Sequence, residues 1–237
     1  MIYFNGVALE NIAPVKIEDI RVSPITIRPV TRERAIRSGA ELVRVRGAER
    51  SVVITFGLLT DDLSMRTAQL QNITNWAVST EEKWLRLPNY DASARHLEAI
   101  CTEYPSPSMR QWWDSRLRLV FTCFNNPYWT SDIEKSAACG ASFTASGNAM
   151  DGPLMRIERT LSSAASSVSY SSGGQFMVFS TVPAGNLAID LNRQTAAVNG
   201  TSIMQYWDIA NSTFIKPKNG TQTINGTGTI KYRERWQ

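Results

Sequence analysis

Histidine is the side chain that most often transfers protons near neutral pH, and the chain contains a single one, His96. A Ser-His-Asp or Cys-His site would have to use it, yet no G-x-S-x-G nucleophile elbow occurs in the sequence. The neighbouring Leu97, Ala99 and Cys101 are spaced like core positions of a strand. We therefore expect His96 to lie on the polar face of that strand and not to act as a catalytic base.

Metal ligands are equally sparse. Cys101, Cys123 and Cys139 are odd in number and form no C-x-x-C pair, which disfavours a zinc site and a disulfide framework. The adjacent Asp61 and Asp62 are better explained as carboxylates at the start of a helix. The two carboxylates of a glycosidase can be far apart in sequence, so this alternative stays open. The residues themselves predict no metal and no cofactor.

Phosphate and nucleic-acid recognition are not favoured either. No Walker-type or G-x-G-x-x-G loop is present, since Gly226-Thr227-Gly228 lacks the third glycine and a following helix. The 25 lysines and arginines against 21 aspartates and glutamates give a net charge of +4, which the two halves of the chain share evenly. These patterns predict a protein that is not an enzyme and does not bind nucleic acid.

The sequence carries no targeting or membrane signal. No window approaches the roughly 18 consecutive apolar residues of a membrane span, and residues 1–6 lack the basic and apolar segments of an export signal. We therefore expect a chain that is neither exported nor inserted into a membrane and whose cysteines are reduced. Its 43% hydrophobic content is enough for a packed core, and a length of 237 residues suits one large β domain or two domains of ordinary size.

The elements that must hold any site are mostly strands in the first half. Apolar residues recur at every second position from Val52 to Leu58, the period of a half-buried strand. The spacing then becomes helical, which predicts one amphipathic helix over residues 62–78. The thiols of Cys101 and Cys123 fall on the inward faces of two further strands. The other strands predicted in this half cover residues 83–87, 95–104 and 116–124.

A charged segment separates two strand-like runs near the start of the chain. The runs 22–27 and 41–46 flank a polar stretch from Arg28 to Gly39, which predicts a hairpin with a long charged tip. One interpretation is a solvated loop. The other is a tip that reaches a neighbouring subunit, because functional contacts concentrate on long loops. The candidate subunit-interface residues are the arginines of this stretch, Arg28, Arg32, Arg34 and Arg37.

The composition changes after Trp129. Downstream, the chain is rich in Ser, Thr, Gly, Asn and Ala, and short apolar runs replace the helical spacing, which predicts an all-β half. We place the domain boundary between residues 1–130 and 131–237, with an exposed connection over 131–151 that its glycines mark. Type I′ turns are predicted at three dipeptides, Asn199-Gly200, Asn219-Gly220 and Asn225-Gly226.

A serine-rich segment lies within this second half. Residues 162–174 contain enough serine for a flexible linker. Val168 and Tyr170 alternate with serines there, which favours an exposed edge strand followed by a turn.

Tryptophan is the one compositional excess, with seven residues. Tryptophan rings can stack on sugars or anchor contacts between subunits, and Trp112 and Trp113 lie in a loop where either role is open. A core or inter-domain position is favoured for three others that lie in or beside apolar runs, Trp84, Trp129 and Trp207.

Several short motifs follow one another in a distinctive order. A helix and a strand that ends in Phe121–Trp129 precede the hairpin from Ile189 to Gly200. The step Tyr206-Trp207-Asp208 and a basic, aromatic final strand over 230–236 come next. This order runs over nearly the whole chain and resembles the distal tail (Dit) protein family of long-tailed, siphovirus-type bacteriophages and prophages.

The resemblance implies a mainly β fold in two domains. Residues 1–130 would form a β-sandwich or split barrel with one helix, similar to tail-tube proteins, and would close into a hexameric ring. Residues 131–237 would form a galectin-like β-sandwich.

The resemblance also implies a function. Such proteins are structural hubs at the virion tail tip, made in the cytoplasm of the bacterial host, that join the tail tube to the host-adsorption apparatus. The implied partners are further copies of the chain, the tail-tube protein and tail-tip or receptor-binding proteins, with no cofactor and no catalytic residue. The alternative, motivated by the all-β second half and the tryptophans, is a carbohydrate-binding β-sandwich module.

Overall fold

A computed structural model describes residues 1–33, 40–60, 62–88, 94–105 and 116–237 of the chain. Within these ranges the protein is mainly β, with one α-helix and several antiparallel sheets, which confirms the predicted fold class. The chain divides into two compact units, one formed by Met1–Trp129 with Gln237 and the other by Thr130–Trp236. The assignment of these units as a tail-tube-like and a galectin-like domain stays a prediction.

The first unit is built on one antiparallel sheet and a helix. The sheet has the strand order β2-β1-β6-β7-β8-β5-β3, and strand β4 also pairs with β5. A short 3-10 helix covers Leu9–Asn11. The elements are β1 (Tyr3–Phe4), β2 (Val7–Ala8), β3 (Val15–Val22), β4 (Thr26–Glu33), β5 (Ala40–Leu58), α1 (Leu63–Ala77), β6 (Lys83–Arg86), β7 (Arg95–Glu103) and β8 (Leu117–Cys123).

The spacing of apolar residues in the sequence agrees with the strand β5 and the helix α1. Val52, Ile54 and Phe56 are fully buried at every second position of β5, and each contributes about 1.5–3 kcal/mol by its burial. Helix α1 begins after Asp62, whose carboxylate accepts hydrogen bonds from the backbone nitrogens of Ser64 (2.8 Å) and Met65 (3.4 Å). The helix predicted over 62–78 is therefore confirmed.

The second unit has two layers around one hydrophobic core. A six-stranded sheet has the order β10-β19-β12-β15-β16-β17, and the two-stranded sheets β11-β18 and β13-β14 complete the unit, whereas β9 pairs with both β20 and β7. Its strands are β9 (Trp129–Ser131), β10 (Lys135–Ala138), β11 (Ser142–Ala145), β12 (Leu154–Leu161), β13 (Ala165–Ser172), β14 (Gln175–Val182), β15 (Gly185–Asp190), β16 (Thr195–Val198), β17 (Thr201–Ser202), β18 (Gly220–Thr223), β19 (Thr229–Arg233) and β20 (Arg235–Trp236). The core joins Ile157, Ile189 and Ile230 of the large sheet to Tyr170 and Phe179 of the β13-β14 layer.

Two segments of this unit are more regular than their composition suggests. The serine-rich segment forms β13 and the turn into β14, so the strand prediction is confirmed and the linker interpretation is wrong. Residues 131–151 are mostly exposed, as expected, but they are not an irregular connection, because β10 and β11 lie there and pair with β19 and β18. Small polar residues are compatible with strands and with linkers, and the pairing of the backbone decides which of the two forms.

The Asn-Gly dipeptides do not all form the same turn. Asn199 and Gly200 have φ values of 49° and 82° and join β16 to β17, which confirms the type I′ prediction there. The prediction is wrong at Asn219 and Asn225, whose φ values are not positive. Asn225 instead exchanges two backbone hydrogen bonds with Ser171, which keeps it extended.

The structure corrects two predictions about aromatic rings. His96 is buried, with 1% of its surface exposed, and not on a polar face. Trp84 is 45% exposed and not in the core, and its ring stacks on that of His96 at 4.1 Å between centroids. The exposed indole of Trp84 thus covers one face of the buried His96 imidazole. Trp129 is buried and Trp207 is half-buried against the core, as predicted, whereas Trp112 and Trp113 lie outside the described residues.

The buried thiols provide a test of the strand phase. Burial raises the pKa of Cys101 to about 11 and that of Cys123 to about 12, so few thiolates form near neutral pH. Burial also raises the pKa of Cys139, but this residue is only half-buried. We expect a maleimide to label Cys139 first in the folded protein, and Cys101 and Cys123 only after unfolding in urea. Rapid native labelling of both buried thiols would contradict the inward phase of β7 and β8.

Candidate subunit interface

A two-stranded arm, formed by β4 and by residues 40–49 of β5, extends the sheet of the first unit. Strands β3 and β4 follow one another along the same edge of β5, β3 opposite Val52–Leu58 and β4 opposite Ala40–Glu49. On the other edge of β5, β8 pairs only with residues 50–56 in the described part of the chain. The half of β5 before Arg50 therefore continues beyond the sheet with β4 as its sole described partner. At about 3.3 Å per residue, this half is about 33 Å long.

A side-chain hydrogen bond holds the junction between arm and sheet. The backbone nitrogen of Ser51 donates to Ser23 Oγ at 2.8 Å, and the backbone nitrogen of Ser23 donates to the Ser51 carbonyl, also at 2.8 Å. Pro24 follows, where the strand opposite β5 is interrupted. The ladder then resumes at Thr26, so β5 passes through the junction without a break.

The arm concentrates positive charge. Residues 26–49 contain six arginines and three glutamates, whereas the rest of residues 1–129 contains ten basic and eleven acidic residues. The arm is thus positive and the remainder of its unit is slightly negative. Such an arrangement favours contacts between the arm of one copy and the body of another.

The predicted interface arginines divide into two groups. Arg28 and Arg32 lie in β4, with backbone partners Arg46 and Glu41 in β5. Arg34 and Arg37 lie outside the described residues. The charged segment predicted from the sequence ends at Gly39 and leaves out Arg46 and Arg44, the partner of Val30, because 41–46 is a strand-like run. The interface role of the four predicted arginines stays a prediction.

The ordinary sheet edges of the first unit are poor docking sites. Strand β2 has only two residues, and β3 carries a bulge between Ile17 and Asp19 that interrupts its ladder. Charged side chains also guard β3, where Glu18 pairs with Arg116 (3.2 Å) and Asp19 with Arg21 (2.6 Å). Short, bulged and charged edges resist the addition of a strand from another chain.

A buried carboxylate holds together the end of the second unit. Glu234, with 7% of its side chain exposed, accepts hydrogen bonds from Lys135 Nζ (2.7 Å) and from the backbone nitrogen of Ser146 (2.8 Å). Burial alone would raise its pKa, but these hydrogen bonds outweigh burial and hold the pKa below the usual value. The chain just before the final strand β20 is therefore fixed to two segments that lie 99 and 88 residues earlier.

The neighbouring Arg235 continues this arrangement. Its buried guanidinium donates from Nε to the Gly152 carbonyl (2.7 Å) and from Nη2 to the Asp151 carbonyl (3.1 Å). Its own carbonyl accepts from the backbone nitrogens of Asn148 and Ala149. A Cβ at Gly147 would overlap that carbonyl oxygen, and φ there is 132°, so this position requires glycine.

The described residues offer little for metal chemistry. In the parts of the chain that the structure covers, no three His, Cys, Asp or Glu side chains lie close enough together to hold a metal ion. No helix in the described ranges is long and apolar enough to cross a membrane.

By fold, the chain is a mainly β protein of two units with a charged arm on the first. Residues 146–236 match the family model described as the siphovirus-type tail component, C-terminal domain. Residues 146–236 are thus similar to a phage tail component domain, and the resemblance to the distal tail protein family is confirmed.

Solved structures extend the likeness to the whole fold. The crystal structure of the Dit protein (gp 19.1) of phage SPP1, described as a paradigm of the hub adsorption apparatus in phages that infect Gram-positive bacteria, has a TM-score of 0.70 and 15% identity. The match covers 100% of this chain and 98% of that chain. Two structures of the phage P2 baseplate in its activated conformation, with Ca and with Sr, have TM-scores of 0.43 and identities of 8% and 9%, covering 93% of this chain and 90% of each. No curated protein matches the chain.

The buried carboxylate predicts a pH-dependent loss of stability. Because the pKa of Glu234 is lowered in the folded state, its contribution is present above the usual carboxyl pKa and is lost as the pH falls through the folded value. We expect Glu234→Gln to lower the free energy of unfolding by about 1–3 kcal/mol at neutral pH and by less in acid. Urea titrations at both pH values measure this difference.

The exposed pair of Glu81 and Lys83, 3.0 Å apart, provides the matched control. Glu81→Gln should change stability by less than about 0.5 kcal/mol, since exposed ion pairs contribute little. Equal losses of unfolding free energy in the two variants, or a loss in Glu234→Gln that does not depend on pH, would contradict a stabilising role of the Glu234 carboxylate.

Proposed function

We propose that the protein is a distal tail hub, a structural and not a catalytic component of a phage tail. Six copies close into a ring that joins the tail tube to the host-adsorption apparatus at the virion tail tip. The tail component domain at residues 146–236 supports the placement in a tail, and the fold shared with a hub protein supports the type of component. The single observation that carries the ring is the charged arm, residues 26–49.

The size of the arm suits a subunit contact. A stable interface uses about 20–30 residues on each side, and the described strands of the arm, 26–33 and 40–49, can contribute up to 18 of them. A ring of identical subunits needs head-to-tail contacts, in which one surface meets a different surface of the next copy. A positive arm against a slightly negative body meets this requirement, because it attracts unlike surfaces and disfavours arm-to-arm pairing.

The arm also gives the predicted arginines a common role. Arg28 and Arg32 in β4 lie on the segment that would contact the next copy, and Arg34 and Arg37 fall between β4 and β5 in the sequence. The remaining proposed partners are the tail-tube protein and tail-tip or receptor-binding proteins. The proposal includes no nucleic acid, no membrane and no cofactor.

The ring is tested by assembly of arm variants. Light scattering over a concentration series, with negative-stain imaging, should show hexameric rings of the full chain, alone or with tail-tube or tail-tip proteins. Deleting residues 31–39 should weaken the rings while circular dichroism and the urea midpoint stay near those of the parent. Replacing Arg28, Arg32, Arg34 and Arg37 with glutamine should do the same, because the attraction between arm and body is reduced.

A matched set removes equal charge elsewhere. Replacing the exposed Arg21, Arg86, Arg118 and Arg193 with glutamine should leave the rings intact. Equal weakening by both sets would show that net charge, and not the arm, controls assembly. A chain that stays monomeric at high concentration and forms no ring with tail proteins would overturn the hub.

A carbohydrate-binding role is the second candidate. Two exposed aromatic side chains favour it, Phe176 of β14 (49% exposed) and Tyr206 (37% exposed). The segment after Tyr206 runs beside β14, since the nitrogen of Asp208 donates to the Val178 carbonyl and that of Thr213 to the Phe176 carbonyl. Both rings therefore belong to one layer of the second unit, where they can stack on sugars.

Titration of the full chain with soluble cell-wall oligosaccharides tests this candidate. Binding should be lost in the double variant Phe176→Ser, Tyr206→Ser and kept in Ile133→Ser, which replaces another exposed apolar residue (62% exposed). If the parent chain binds none of the oligosaccharides, the second candidate is rejected and the hub proposal is unaffected.

A further inference from the structure

Two turns of the chain have the same sequence and the same backbone conformation. Asn5-Gly6 joins β1 to β2, with Phe4 opposite Val7, and Asn199-Gly200 joins β16 to β17, with Val198 opposite Thr201. The φ values are 51° and 81° in the first turn and 49° and 82° in the second. Both are two-residue type I′ turns on the surface. The two turns can therefore be compared with each other, because their two central residues are the same and the φ values of these residues are nearly the same.

Asparagine followed by glycine can convert itself to an acid. The glycine backbone nitrogen attacks Cγ of the asparagine, a new C–N bond forms, the Cγ–Nδ2 bond breaks and ammonia leaves with the amide proton. A five-membered succinimide remains, and water opens it to aspartate or isoaspartate. The step needs only water as co-reactant. It requires an accessible glycine nitrogen and an asparagine side chain that is free to rotate toward it.

The nucleophile is equally accessible in the two turns. A Cβ built on Gly6 or on Gly200 would meet nothing within 4 Å, so neither glycine is enclosed. No backbone hydrogen bond of either glycine nitrogen occurs among the turn and loop contacts of the described residues. The two turns thus differ in the electrophile, the asparagine side chain.

The Asn199 side chain is held in place. Its Oδ1 accepts a hydrogen bond from the backbone nitrogen of Asn186 at 2.9 Å, and its amide group lies against Gly185. In the described part of the chain, no hydrogen bond engages the side chain of Asn5, which is exposed. Rotation of Asn199 toward Gly200 must first break a hydrogen bond, whereas rotation of Asn5 toward Gly6 breaks none.

The other two Asn-Gly pairs are also restrained. Asn219 Nδ2 donates to the Ala149 carbonyl at 2.7 Å. Asn225 has both its backbone nitrogen and its carbonyl bonded to Ser171, and Gly226 lies against the ring of Tyr170. We propose that Asn5 is the site at which the folded protein deamidates first, giving aspartate and isoaspartate in the β1-β2 turn.

The modification changes the turn in two ways. It adds a negative charge at position 5, and isoaspartate adds a methylene group to the main chain of a two-residue turn. The backbone nitrogen of Asn5 donates to the Trp84 carbonyl at 2.9 Å, and the carbonyl of the neighbouring Val7 accepts from Trp76 Nε1 at 3.0 Å. These two contacts tie the turn to β6 and α1, so tryptophan fluorescence should change as the product accumulates.

Peptide mapping by mass spectrometry tests the proposal on the full-length protein. After incubation in mildly alkaline buffer, the acid forms at position 5 should accumulate at least about fivefold faster than those at position 199, the effect of one hydrogen bond that must open first. In urea, where no turn is formed, the two rates should differ by less than about twofold, which controls for the neighbouring residues.

The four sites allow a clear decision. Asn5 should be the fastest of the four in the folded protein, and this order should disappear in urea. Equal rates at positions 5 and 199 in the folded protein, or a faster reaction at any of the other three sites, would overturn the proposal. An order that persists unchanged in urea would show that local sequence, and not the hydrogen bond to Asn199, controls the rate, and would also overturn it.

Discussion

Strand β5 runs through both the sheet of the first unit and the arm, and the arm is held to the unit by this one continuous strand. Between Val52 and Phe56 it is a central strand, paired on both edges and anchored by the buried Ile54 and Phe56. Before Arg50 it is half of the arm. Because one continuous strand serves both, no loop separates the arm from the core. Two bulges opposite β4, each with one extra residue in β5 (Ala48 and Val43), add twist to the arm.

Much of this could be predicted from the sequence, because the periods of β5 and α1 are set by local burial. Alternation from Val52 to Leu58 and the Asp62 cap each follow from a few adjacent residues. The arm was only partly predicted. Its arginines suggested a charged tip, but the pairing of Arg28 with Arg46 shows that strands extend far into the polar segment. Polar residues are compatible with strand and loop, and pairing over distance decides between them.

The predictions that proved wrong or incomplete failed because of contacts between residues that are distant in sequence. His96 is buried because Trp84, twelve residues earlier on the neighbouring strand, covers it, and no local pattern contains that stacking. Asn225 keeps an extended backbone because Ser171 offers a partner for both of its main-chain groups. The hydrogen bonds of Glu234 were not predicted for the same reason, since Lys135 and Ser146 lie 99 and 88 residues earlier. In each case a contact that is distant in sequence overrides the local preference.

The edges of the first unit explain why assembly would use the arm. A ring of β-rich subunits must expose groups that pair with a neighbour and must avoid uncontrolled pairing of every free edge. The bulge at Ile17 and the ion pairs of Glu18 and Asp19 block strand addition along β3, and β2 is too short to support it. The arm is longer than these edges but is also bulged and charged, so in the proposed ring it would contact the next subunit through its net positive charge and not by strand addition. Guarded edges and a charged arm together favour one directional contact per subunit, which is the requirement for a closed ring.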